Sequence, residues 1–138
     1  CFKEKPDPMG TGSIRPQYHF RPAQAGLMAW DVRRLINLSQ DLPLVQWPVA
    51  QISEVDEDWW YAHGAIPTVR SIAEHMQLAE AADLRFPILL CQEGRLMDGM
   101  HRVLKAISKG LEFLPARRFA TTPEPDYRNA NPDALPYE

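Results

Sequence analysis

Cysteine is scarce in this chain. There are two in 138 residues, Cys1 at the terminus and Cys91 inside an apolar run. That argues against a disulfide framework and makes a reducing compartment, the cytoplasm, the expected setting. Long apolar runs are missing too: none approaches the ~20 residues of a membrane-spanning helix, and no signal-peptide pattern opens the chain. Charge of one sign is not in excess. Fifteen Lys and Arg against eighteen Asp and Glu leave a formal net charge of −3. The basic footprint of a general duplex-DNA binder is therefore absent, a balance that leaves room for a local basic pocket for one small anion. Internal repeats and low-complexity blocks are lacking. The chain opens on Cys1 and its first methionine is Met9, so residues 1–8 are given no functional role.

What remains is an ordinary globular composition, 45% hydrophobic and 24% charged, at a length suited to one compact domain. Eight of the thirteen prolines fall in residues 1–22 and 121–138. These segments read as extended Pro-rich arms around a domain at 23–120, with Tyr18, Phe20, Tyr127 and Tyr137 favouring docking of the arms. Within the domain, Asp31 can cap a helix whose face carries Val32, Leu35 and Ile36. "LVQWPVAQI" reads as a strand entering a turn, and "EVDEDWWYAHG" as a loop or short helical turn. Thr68 can cap a second helix with an apolar stripe of Val69, Ile72, Ala73, Met76 and Ala79. "FPILLC" is a buried strand, followed by a four-residue hairpin loop at Glu93-Gly94 and a return strand at Leu96-Met97. Met100, Val103, Leu104 and Ile107 mark a third helix, with Asp98 as N-cap and Gly110 just past its end. "FLPARRF" reads as a final strand, with Pro115 pointing to an edge position or the strand's start.

The corner "MDGMHR" joins the return strand to the third helix. A helix N-terminus offers unpaired N–H groups and about half a positive charge. Gly99 permits close backbone approach, and His101 and Arg102 lie off the apolar stripe, directed away from the core. The combination suits a phosphate or carboxylate. Asp98 can cap, orient His101, or hold a divalent cation that bridges to phosphates. The plain alternative is a capped helix with two solvated side chains.

This order of strand, DGMHR corner, helix, glycine and Pro-containing strand resembles the ParB/sulfiredoxin superfamily. The likeness is nearest to small bacterial ParB-like proteins, and "PTVRSIAEHM", "FPILL" and "GRLMDGMHRVLKA" carry it. It covers roughly residues 28–119, and the tail "PEPDY…LPY" shares it. The resemblance implies an α+β fold, a small mixed sheet with packed helices. In that superfamily the matching corner meets nucleotide phosphates: partition proteins use a G-E-R-R form for CTP, sulfiredoxin a G-G-C-H-R form, and a free-serine kinase a D-G-H-x-R-like form. By resemblance, Asp98, Gly99, His101 and Arg102 become phosphate or metal contacts, with Mg²⁺ arriving alongside a nucleotide. Met100 stands where sulfiredoxin has its reactive cysteine, and a thioether supplies no thiolate, so this is not a sulfiredoxin. The G-E-R-R form is absent, and the chain is short for separate helix-turn-helix and dimerisation domains.

Three further features complete the expectation. Glu54, in "ISEVDED", stands near the place of the serine kinase's base and could take a proton; its alternative is a solvated acidic loop. Arg70 opens the second helix and could reach the same anion, or be a surface arginine. On that helix Thr68, Ser71 and His75 share a face, and His75 reads as a hydrogen-bonded histidine at the core's edge. Trp30 and Trp47 read as core, Trp59-Trp60 as a pocket wall or dimer contact, and Cys91 as a small buried hydrophobe. The expected function is nucleotide or phosphate binding, with phosphoryl transfer or hydrolysis through Glu54, Asp98 and His101. A non-catalytic sensing or protein-interaction module is the first alternative, and a partition- or nuclease-type DNA-binding protein the second.

Overall fold

The computed structural model describes residues 17–24, 26–61 and 65–136. Its elements run β1 (Tyr18–Ala23), β2 (Gly26–Asp31), α1 (Val32–Ser39), β3 (Val45–Pro48), α2 (Val69–Ala81), β4 (Ile88–Leu90), β5 (Leu96–Asp98), α3 (Met100–Ser108), β6 (Phe113–Arg118) and β7 (Tyr127–Ala130). Short 3-10 turns cover Val49–Gln51 and Ser53–Asp56 between β3 and α2. Among the described residues the fold is α+β: three α-helices with two small sheets. One sheet is mixed, in order β3-β6-β4-β5; the other is antiparallel, in order β1-β2-β7.

The mixed sheet organises the core because successive side chains of a strand alternate between faces. Ile88, Leu90 and Leu96 join Met100, Val103 and Ala106 of α3 on one face. Leu89, Cys91 and Met97 join Trp30, Leu35 and Phe119 on the other. Helix α1 starts where expected, with the Asp31 carboxylate accepting from the Arg33 N–H at 2.9 Å. Helix α3 ends in a glycine-dependent stop. Gly110, at φ 68°, donates to Ile107 and Leu111 donates to Ala106, which pairs two of the carbonyls in the last turn.

Helix α2 departs from its expected orientation. Thr68 caps it through the Ser71 N–H at 3.1 Å, but of the expected apolar stripe only Ala79 is buried and the rest faces outward: Val69 is 86% exposed, Met76 60% and Ile72 46%. The buried residues are His75 and Ala79, with Ser71 half-buried one turn before. A polar face can be turned inward here because its groups find partners. The Ser71 hydroxyl meets the Tyr61 hydroxyl at 3.1 Å, and His75 meets a second histidine.

Pro115 needs a second correction. β6 is an interior strand, between β3 and β4. The β3 ladder reaches Pro115 through Gln46, whereas the β4 ladder begins one residue later, at Ala116. At Pro115 itself the strand is paired on one side only, so its missing N–H is tolerated. β6 is also not the final strand. β7 pairs with β2 opposite β1, which brings residues 18–22 of the first arm and 127–130 of the second into one sheet. Tyr137 and residues 1–16 lie outside the described residues. No helix among the described residues is long and apolar enough to cross a membrane.

Candidate functional site

β5 delivers the chain to the corner, and Gly99 turns it. Its φ of 111° lies in the left-handed region. A Cβ there would sit 2.7 Å from Cγ2 of Ile88, so conformation and space both require glycine. The helix cap is this glycine, not Asp98, and no side-chain oxygen of the cap residue closes the start of α3. The geometric reason is that Asp98 is still within β5, and its carboxylate is drawn sideways to Arg102 at 3.0 Å.

Arg102 does not project into solvent. Its Nη1 donates to the carbonyls of Phe86, at 3.0 Å, and Pro87, at 2.5 Å, while Nη2 donates to Asp98. The guanidinium therefore ties α3 to the loop before β4 and to the end of β5. Its Nε–H makes no hydrogen bond with another described residue, and the side chain as a whole stays partly open to solvent.

His101 turns the other way. Its Nε2 lies 2.9 Å from Nδ1 of His75. The ring centroids are 5.1 Å apart at an interplanar angle of 21°, an edge-to-edge pair. Trp60 stacks on this pair, 4.0 Å from His75 and 4.9 Å from His101. Such short separations put both imidazoles on one face of the indole. Tyr61 meets His75 edge-on at 5.9 Å. Burial, then the neighbouring His75 and the charge of Arg102, push His101 down to about 4. Burial also lowers His75, against a weaker opposing pull from Glu74. At neutral pH the pair is uncharged, so His101 could serve an anion as a hydrogen-bond partner but not as a cation.

Glu54 is neither solvated nor pointing outward. It is 2% exposed. One oxygen accepts from the Leu96 N–H at the start of β5, and the other from the Ser53 hydroxyl at 2.9 Å. Arg70 is exposed in the first turn of α2, and no contact joins it to Asp98, His101 or Arg102 among the described residues. The structure thus brings together Asp98, Gly99, His101 and Arg102 and adds His75, Trp60 and Tyr61, which the sequence did not assign to the corner. The signal that could have found them is the inward spacing of Ser71 and His75 beside three consecutive aromatics.

Next to the corner, Trp60 and Met100 border a pocket of about 200 Å³, with Trp59 and Glu54 on its wall. Among the described residues no three His, Cys, Asp or Glu side chains gather as a metal site. One Asp98 oxygen is taken by Arg102; the other has no hydrogen bond within the described residues. That fits a Mg²⁺ carried on a nucleotide's phosphates, the ion being commonly held by one or two carboxylates plus substrate. No protein-family model, curated protein or solved structure matches this chain.

Proposed function

We propose that the start of α3 binds the phosphate of a nucleotide or another small phosphorylated ligand. The observation that carries this reading is a helix start without a side-chain cap beside an arginine fixed on three acceptors. N–H groups at a helix N-terminus favour anions, and a guanidinium already immobilised loses little further freedom on binding. Kinship with ParB/sulfiredoxin proteins belongs to the same proposal, supported by the order β5, Gly99, α3, β6 and by DGMHR at the joint.

The reading is of binding, not turnover. With both oxygens engaged by Leu96 and Ser53, Glu54 suits a structural carboxylate better than a base awaiting a substrate hydroxyl. The test is a titration of the protein with nucleoside mono-, di- and triphosphates and with pyrophosphate, with and without Mg²⁺, followed by thermal shift and amide NMR. A ligand bound only to the native state raises apparent stability. The amide resonances of Met100, His101 and Arg102 should move with phosphate-bearing ligands and not with the parent nucleosides. No response to any of them at about 5 mM, beyond a weak millimolar affinity, would sink the proposal.

A second reading, a protein-interaction module, is favoured by one observation: α2 carries Val69, Ile72 and Met76 on its surface.

A further inference from the structure

The pocket beside the corner has the wrong sign for a phosphate. Three acidic residues line it, Glu57 and Asp58 exposed and Glu54 buried in the wall, and no Lys, Arg or His lines it among the described residues. Glu57 is ion-paired with Arg95 at 2.8 Å, each about half exposed. Asp58 accepts the Tyr61 N–H at 3.0 Å, and Glu54 accepts from a backbone N–H and a hydroxyl. The hydrogen bonds of these last two carboxylates come from neutral donors; Glu54 also lies in the field of the Arg95 guanidinium, whereas Asp58 has no ion pair among the described residues.

The remaining walls decide which cation would fit. Trp59, Trp60 and Tyr61 supply aromatic rings, and Met100, Leu104 and Ile107, one face of α3, supply an apolar floor. Aromatic faces attract cations, Trp best of all, through the ring quadrupole. A bare metal ion or primary ammonium needs several oxygen acceptors around it, which an apolar floor does not offer. An alkylated ammonium spreads its charge over methyl groups, needs no hydrogen bond, and gains from contact with both rings and aliphatic side chains. The size agrees. About 200 Å³ lies below the ~300–1,000 Å³ of pockets for drug-sized ligands; it equals about seven water volumes, the bulk of a choline-like headgroup.

We infer that this pocket receives the alkylated ammonium group of a small organic cation. The aromatic segment after the 3-10 turn and the floor of α3 contact the methyl groups, while Asp58 supplies the opposite charge. The site is separate from the phosphate-binding corner and has its own ligand chemistry.

The experiment uses calorimetry and tryptophan fluorescence with three probes: tetramethylammonium, choline, and 3,3-dimethylbutan-1-ol, the neutral carbon isostere of choline. The two cations are expected to bind and to change the fluorescence of the Trp59-Trp60 pair. The neutral isostere should bind at least about tenfold more weakly. Asp58→Asn, which retains an acceptor for the Tyr61 N–H, should weaken choline about tenfold. Ile107→Trp should block the pocket from the half-exposed rim of α3 and abolish cation binding while the far-ultraviolet spectrum is kept. Equal binding of choline and its isostere would overturn the inference, as would no binding of either cation at about 50 mM. None of these probes contains phosphate, so a failure here leaves the corner's reading standing, and the reverse.

Discussion

Replacing Arg102 with alanine should destabilise the domain. If Arg102 projected outward, as its position off the apolar stripe predicts, alanine would spare the fold. In the structure its loss removes three hydrogen bonds at once and strands the carbonyls of Phe86 and Pro87 and the carboxylate of Asp98. The ion pair is mostly buried, with side-chain exposures of 18% for Arg102 and 16% for Asp98. Removing one partner of a buried pair costs about 3–5 kcal/mol. The residual solvent contact puts the expected loss near the lower end, about 3 kcal/mol, or roughly 10 °C in Tm for a chain of this size. Urea denaturation measures it directly, with an unchanged slope confirming that the native state is lost as one unit. Asp98→Asn should cost less than half as much, because the two carbonyl contacts survive. A loss below about 1 kcal/mol for Arg102→Ala, the range of exposed pairs, would refute the reasoning.

Gly99→Ala should cost roughly 2–5 kcal/mol, from left-handed strain together with overpacking against Ile88; a thermal melt within two degrees of wild type would contradict the described backbone. Stability should fall as pH drops from about 6.5 towards 4, because His101 is held down to about 4 when folded and titrates near 6.5 when unfolded. Between those values the unfolded chain binds more protons, so the loss reaches roughly 3 kcal/mol at most. His101→Gln should flatten the profile, and identical profiles for the two proteins would refute the assignment. Glu54→Ala should cost about 1–3 kcal/mol by leaving the Leu96 N–H without its acceptor, measured as a lower urea midpoint. Met76→Lys, at a side chain that is 60% exposed, should change stability by no more than about 0.5 kcal/mol; a loss of several kcal/mol would mean that the α2 stripe is packed after all.

Legibility in the sequence followed how local the governing physics is. The caps at Asp31 and Thr68, the stop at Gly110 and the hairpin around Gly94 depend on a few adjacent residues, and each stands where the pattern put it. The α2 stripe misled because periodicity finds a helix but does not say which face is covered. In α2 the polar face won, through a histidine partner 26 positions away. Arg102 misled for a related reason: helical spacing takes it off the stripe, but only the fold brings the carbonyls of Phe86 and Pro87 within reach. At the corner, Gly99 and His101 were legible as residue types. The stacking of Trp60 was not, since it depends on how the loop after the 3-10 turn returns over α2 and α3.

The position of β2 sets an order of assembly during synthesis. Its partner β1 is already made when β2 appears, and the two can close as a local hairpin. Its other edge is completed by β7, and the bonds that accompany that closure, from the Trp30 indole to Pro123 and from the Asp31 N–H to Asp126, span 93 and 95 residues. At translation rates of about 5–20 residues per second, those partners emerge roughly 5–20 s later. For that interval β2 shows an open row of backbone donors and acceptors, the feature that recruits stray strands. The nascent chain is therefore most exposed to mispairing at Leu27 and Ala29, the two positions that β7 finally covers.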